Sequence, residues 1–481
     1  MTTRTAQASR PPLILGVLAL GGGAYALLQS LVVPALPVLQ HDLHTSTSGV
    51  AWVFTAYLLA ASVVTPIAGR LGDMYGKKRV LVVTLSGLAA GSLLAAVVTT
   101  LPLMIAARTI QGLGGAIFPL AFGIIRDEFP RERVAGAIAL VSGILGIGGG
   151  LGIVLSGPIL QHLSYHWLFW IPLVVTAVAA AAASVFIPES TIREPGNIHW
   201  LGGVLLSAWL VALLVAVSEG STWGWGSAKT LGLIVASAVF AAAWVRAESR
   251  SGHPLVDMRM MRLNGVWTTN AAALLLGFGM YSAFILIPQF VQTPRSTGYG
   301  FGASVSQAGL FLVPTTIALL ITSPISGRLS NVVGSKVPLV VGSIVTAVAF
   351  VVLAVAGSRW EIYVASTLVG IGVGFAFASM ANLIVEAVPP GQTGVATGMN
   401  TIVRTIGGAI GAVVAASVLG GHVLASGEPE KRGYTITFWI CVAVLLVGVL
   451  ASLAVPGRSR RQARFVELVE PDSATEARKA A

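Results

Sequence analysis

Charge is scarce in this 481-residue sequence, since Asp, Glu, Lys and Arg together make up 10% of it. Soluble chains carry about 25%, so a water-facing surface cannot be built along most of the length. Cysteine is nearly absent as well: the single Cys441 sits in an apolar run, which excludes a disulfide framework and a cysteine metal site. No HExxH pattern, no Gly-rich phosphate loop of P-loop spacing and no Ser/His/Asp cluster is found. An enzyme is therefore not expected, and no cofactor or metal is implied. ATP-driven pumping lacks the soluble nucleotide domain it needs. The formal charge of +11 is not a nucleic-acid footprint either. Such a footprint requires basic residues clustered on a wet surface, and here they sit in short loops.

What is plentiful is apolar sequence, 55% before counting 56 glycines. A membrane helix needs about 20 mostly apolar residues. Fourteen such runs follow one another, from 13-37 near the start to 435-455 near the end. Arg4 and Arg10 followed by an apolar stretch resemble a signal peptide, but apolar sequence continues to Pro37. That outruns an h-region of about 7 to 15 residues, so the stretch reads as the first span. An even number of spans puts both termini in one compartment. Of 29 Lys and Arg, 22 fall on the side of the termini, and five (Lys229, Arg295, Arg359, Lys431 and Arg432) fall opposite. Arg108 and Arg404 lie inside spans. Basic loops stay in the cytoplasm, so both termini are expected there.

The sequence also repeats itself. TPIAGRLGDMYGKK at 65-78 returns as SPISGRLSNVVGSK at 323-336, pairing Gly69 with Gly327, Arg70 with Arg328, Gly76 with Gly334 and Lys78 with Lys336 at a constant offset of 258. Gly112 and Gly114 match Gly370 and Gly372, while the pair Gly148 and Gly152 returns at Gly407 and Gly411 shifted by 259. An offset longer than half the chain requires an insertion between copies. The expected organisation is a six-helix bundle over 1-190, a linker with two extra membrane helices over 191-262, a second six-helix bundle over 263-456, and an unstructured cytoplasmic tail over 457-481. Its Arg458, Arg460, Arg461 and Arg464 suit contact with anionic lipid. Halves of like orientation are related by an axis along the membrane normal, with a substrate path between them, as in secondary transporters. A channel does not call for two related halves.

The loop from Gly69 to Arg79 resembles the signature loop of the major facilitator superfamily, and Arg108 with Gln111, Gly112 and Gly114 resembles the second signature of its drug:proton antiporters. The 6 + 2 + 6 plan is similar to the fourteen-span group of those exporters. The resemblance implies an all-α polytopic fold with fourteen transmembrane helices, and drug or metabolite efflux by proton antiport through alternating access. It also implies a multi-pass place in the cell membrane, expected to be the bacterial cytoplasmic membrane. The partners would be an amphipathic small molecule, protons and membrane lipid, with the chain acting as a monomer. The sequence departs from the pattern twice. The fifth-span signature lacks its proline, reading Gly152-Ile153 and then Ser156-Gly157, and Leu28 stands where similar exporters often place an aspartate. The alternative is a lipid or lipophilic-metabolite exporter with atypical or no proton coupling.

Candidate residues follow from these patterns. No Asp or Glu falls in the central part of any span, although proton relays normally use titratable carboxylates or histidines. Asp73, among basic residues and just before a helix start, is expected to be held by arginine partners and by a positive helix end. In the resembled family this loop locks the halves together, which implies a conformational latch of Gly69, Arg70, Asp73, Gly76 and Lys78, with Arg328 and Lys336 from the second copy. The second copy carries Asn331 in place of the aspartate. Arginine at mid-membrane costs about 2.5 to 3.5 kcal/mol, so Arg108 and Arg404 should face the interior. With Gln29, Tyr57, Gln111, Asn270, Tyr281 and Asn400 they are the expected coupling or cavity residues. Gly148, Gly152, Gly407 and Gly411 are read as helix-packing positions.

Overall fold

The computed structural model describes residues 11–457 apart from 33, 46, 191–198 and 425. Arg4, Arg10 and the arginines of the tail lie outside the described residues. Among the described residues, fourteen helices are long and apolar enough to cross a membrane. The first six are α1 (Pro11–Leu31), α2 (Thr47–Tyr75), α3 (Lys77–Val97), α4 (Leu101–Glu128, with a 3-10 turn at Gly112–Ala116), α5 (Arg131–His162) and α6 (Trp167–Phe186). The next two are α7 (Trp200–Trp223) and α8 (Ala228–Arg250). The last six are α9 (Asn264–Gln292), α10 (Val305–Val333), α11 (Lys336–Val355), α12 (Arg359–Ala387), α13 (Thr393–Gly420) and α14 (Lys431–Ala454).

Helix ends follow local chemistry. At Gly76 the backbone takes φ +112 and at Gly334 φ +86, the region that favours glycine. Both breaks let a helix stop and restart within two residues. The N-termini of α10 and α12 are closed by reciprocal capping boxes, Ser304 with Gln307 and Ser358 with Glu361, which satisfy free backbone N–H groups.

The packing repeats with the sequence. Within the first six helices, α1 packs on α5 and α6, α3 on α6, α2 on α4, and α3 on α4. Moving each label forward by eight gives α9 on α13 and α14, α11 on α14, α10 on α12, and α11 on α12, and all of these pairs are present. The matched glycines explain part of it. A Cβ on Gly148 would stand 2.4 Å from Cβ of Ala26 in α1, and one on Gly407 would stand 1.9 Å from the backbone oxygen of Leu274 in α9. Gly152 and Gly411 are as tight, against Ser30 and Phe278. Both fifth helices therefore approach both first helices backbone to backbone, and any side chain there would push them apart.

Two seams join the sextets: α2 against α13 and α5 against α10. Four glycines spaced seven residues apart on α5 build the second. Gly136 lies against Gly327, Gly143 against Ser323, Gly150 against Thr316 and Gly157 against Ser306, so this seam runs nearly the whole length of both helices. The first seam is confined to one end, where Gly69 meets Gly394 and Gly398 meets Thr65 and Pro66. This is the end that carries Arg70, Lys77, Lys78, Arg79, Arg126, Arg131 and Arg133, called the basic end below.

Candidate transport pathway

At the basic end the first seam is held by charge. Asp73, fully buried near the end of α2, accepts from the backbone N–H of Gly394 (3.1 Å) and of Val395 (3.3 Å), the first turn of α13. A helix start carries partial positive charge, so the carboxylate caps a helix belonging to the other sextet. The helix end that holds the carboxylate is thus that of α13 in the other sextet rather than of the helix that follows Asp73, and the expected arginine partners are Arg70 and Arg126, whose charges both act on Asp73. Lys77 is a further cationic partner, with Nζ 3.5 Å from Oδ1 of Asp73 and 2.9 Å from Oδ2 of Asp127. Lys77 is fully buried. Taking ions out of water costs several kcal/mol each unless partners surround them, and here one ammonium is shared by two carboxylates. Ser190 donates to the same oxygen of Asp127 at 2.5 Å.

Arg126 of α4 adds a second tie, donating to Oγ1 of Thr393 (2.6 Å) and to the backbone oxygen of Val388 (2.8 Å). Backbone contact completes the closure. A Cβ on Gly69 would lie 2.6 Å from the oxygen of Gly394, and one on Gly394 would lie 2.7 Å from the oxygen of Gly69. A Cβ on Gly76 would also meet Oε1 of Glu189 at 2.3 Å, a side-chain end that can swing aside, so the positive φ is what calls for glycine there. Arg70 is buried next to Asp73 and Lys78 is half-buried. The second copy is arranged otherwise. Arg328 is exposed, Lys336 donates to the oxygen of Leu453 inside its own sextet (2.7 Å), and Asn331 donates to the oxygen of Glu132 at the start of α5 (2.9 Å). Lys77, Asp127, Arg126 and Thr393 were not singled out in the sequence; the four-residue spacing of Asp73 and Lys77 was the available signal.

Beyond this closure lies a cavity of about 330 Å³ between the sextets. Its walls come from α1, α2 and α5 on one side and from α9, α12 and α13 on the other, with α7 between them. Most lining is apolar, Phe54, Leu58, Met280 and Phe284 among it, and the polar groups are Gln29, Ser30, Thr55, Ser218, Tyr281, Arg404 and Thr405. No Asp or Glu lines it among the described residues. Arg404 is the one cation among its described lining residues. Two smaller spaces nearer the basic end are also lined by Arg404, the second together with Asn400. The Arg404 guanidinium carbon sits 4.3 Å from the centre of the Phe377 ring, a cation–π contact.

The other candidates lie elsewhere. Arg108 is fully buried inside the first sextet, donating to the oxygen of Val53 (2.9 Å) and to Oε1 of Gln111 (2.8 Å), with Tyr57 stacked 4.3 Å away. Gln111 passes the chain on to Ser92 at 3.1 Å. Asn270 is tied to Asn400 at 2.9 Å between α9 and α13. Arg108, Gln111, Tyr57 and Asn270 thus do not line the central cavity. They join helices within a sextet, whereas Gln29, Tyr281 and Arg404 face the space between.

Comparison with known proteins places these features. Residues 18–412, and in a second overlapping match 269–479, fit the sequence model of the Major Facilitator Superfamily. The tetracenomycin C resistance and export protein of Streptomyces glaucescens is 28% identical over 86% of this chain and 76% of its own. Multidrug resistance protein 3 of Bacillus subtilis is 29% identical over 87% and 81%. The solved structure of the human organic anion transporter MFSD10 (TETRAN) has the same fold, with a TM-score of 0.67 at 16% identity, covering 92% of this chain and 99% of that one. With fourteen membrane-length helices, a repeated packing plan and a cavity between the repeats, this chain is a membrane transporter that belongs to the Major Facilitator Superfamily.

Proposed function

We propose that the protein is a secondary active exporter of amphipathic small molecules, working by alternating access and driven by protons. The carrying observation is the pairing of a cavity lined by both sextets with a closure confined to the basic end of α2 and α13. On the distribution of Lys and Arg the basic end faces the cytoplasm of a bacterial cell. The described state is then sealed on the inside, and Asp73, Gly69 and Arg126 form the latch that must release before the cavity can load from the cytoplasm. Relatives named for tetracenomycin C resistance and export and for multidrug resistance support the direction and the substrate range. An apolar wall with Arg404 as its cation suits neutral or anionic amphiphiles better than cations, since nothing acidic among the described residues lines the space to pair with a cation.

The lining also supports a second reading, a lipid or lipophilic-metabolite exporter with atypical or no proton coupling, because no carboxylate among the described residues lines it to carry the proton. One experiment separates them. Purified protein in proteoliposomes is given an imposed pH gradient and a panel of amphiphilic fluorescent dyes. Antiport predicts uphill dye movement that collapses with a protonophore; downhill movement indifferent to the gradient selects the second reading, and no movement of any dye refutes both.

A further inference from the structure

The two inserted helices are unequal. On α7, Leu206, Leu210, Leu214 and Ser218 recur every four residues and so share one face. Leu206 and Leu210 are fully buried in one apolar cluster with Val395, Met399 and Ile402 of α13. Ile67 of α2 packs on the same cluster. The inner part of α7 therefore covers the seam between α2 and α13 from outside. Further along the same stripe, where that seam has opened into the cavity, Leu214 and Ser218 become lining residues together with Arg404 and Tyr281. α8 lines none of this space. It supports α7 from behind, through Trp244 on Trp209 (6.0 Å between ring centres) and a hydrogen bond from Ser237 to the oxygen of Trp209 (3.0 Å). Its far face leaves Val235 and Val239 62% and 59% exposed, as a lipid-facing surface does.

We propose that α7 is a wall of the substrate pathway, and that Leu214 and Ser218 determine which molecules pass. The proposal rests on the exporter reading. In a cavity whose one cation among the described residues is on α13, an amphiphile turns its anionic or polar end to Arg404 and lays its apolar body across to α7. There Leu214 limits bulk, and the Ser218 hydroxyl offers one hydrogen bond. A methylene gained or lost against such a wall discriminates substrates by about 10-fold to 200-fold, enough to tune selectivity without touching either sextet.

Two readouts test this. Cys441 is the sole cysteine and is buried, so it can remain. Leu214→Cys and Ser218→Cys are labelled in intact vesicles with a membrane-impermeant sulfonate thiol reagent, beside Val239→Cys on the lipid face. Only a wetted thiol ionises and reacts, so the first two should label about tenfold faster than the third. Transport is then measured with fluorescein n-alkyl esters, an anionic head with a graded tail. Leu214→Trp should shift preference to short tails and Leu214→Ala to long ones, changing the long-to-short ratio at least about tenfold, while Val239→Trp leaves it alone. Equal labelling at all three positions, or an unchanged ratio in both Leu214 variants, overturns the proposal. If the wild type moves no ester, the exporter reading fails for this probe class, and the labelling still decides whether α7 walls the cavity.

Discussion

Gly69 of α2 and Gly327 of α10 hold equivalent places in the two copies, and each brings its helix against the other sextet. A Cβ on Gly69 would meet Gly394 at 2.6 Å, and one on Gly327 would meet Ala139 at 2.7 Å and Ala135 at 2.9 Å. Four residues on, the copies part. Asp73 is buried, caps α13 and shares Lys77 with Asp127; Asn331 is exposed and donates to a carbonyl of α5. The seams differ in extent as well, since α5 and α10 interlock along glycines spaced seven residues apart while α2 and α13 touch only at the basic end. Backbone approach is thus symmetric and polar chemistry is not. On the proposed mechanism the continuous seam is the pivot, and the short, charged one is the part that opens.

The strongest way to break this comparison is Asp73→Asn. The isosteric amide keeps the shape but removes the charge that the α13 N-terminus and Lys77 both use. Removing one partner of a buried ion pair costs about 3–5 kcal/mol, all of it borne by the closed state. Flux in proteoliposomes at equal protein loading should fall at least about tenfold, the effect of only 1.4 kcal/mol. Flux at the wild-type level would mean that the charge does not govern closure.

Gly69→Ala and Gly327→Ala sharpen it. Each inserts a methyl into a backbone contact too short to hold one, an overpacking cost of about 1–3 kcal/mol. At Gly69 the strain falls on the short seam and should appear mainly as lost flux. At Gly327 it falls on a seam held along its whole length, so the larger change should be in the thermal unfolding midpoint in detergent. Identical profiles for the two variants would remove the distinction between pivot and latch.

Much of this was legible before any coordinates. Fourteen apolar runs, the offset of 258 and the paired glycines specify the helices and the repeated packing, because hydrophobic length and backbone approach are local properties of sequence. Gly148 and Gly407 are the clearest cases. The latch was half legible: Asp73 stood out, but its partners Gly394 and Val395 are 321 and 322 residues away, and no local spacing reports a bond between sextets. Arg108 and Arg404 looked alike, two cations in apolar helices. What separates them is the neighbour each meets, the carbonyl of Val53 for one and open space for the other. Gly136, Gly143, Gly150 and Gly157 recur every seven residues in the sequence, but that period does not say which helix they face, and α10 lies more than 140 residues away. Nothing in the sequence of α7 distinguishes Leu214 from Leu210, since only the opening of the seam beside it makes one a wall and the other a plug.

The smallest effect belongs to Asn331→Asp, and it tests the comparison most closely because it gives the second copy the residue of the first. A carboxylate at this exposed site would lie near the start of α5, beside Arg131 and Arg133, where a helix terminus favours an anion by about 0.3–1 kcal/mol before salt screening. Against this, the hydrogen bond that the Asn331 side-chain amide donates to the oxygen of Glu132 is lost. These terms nearly cancel, so flux should stay within about twofold of wild type. The double variant Asp73→Asn with Asn331→Asp is the decisive member of the series. Were position 331 a second latch awaiting its charge, it would restore the flux lost at Asp73. Because residue 331 faces α5, and α13 is the helix that must be held, the double variant should transport no better than Asp73→Asn alone, and recovery to half of wild-type flux would show the two seams to be interchangeable.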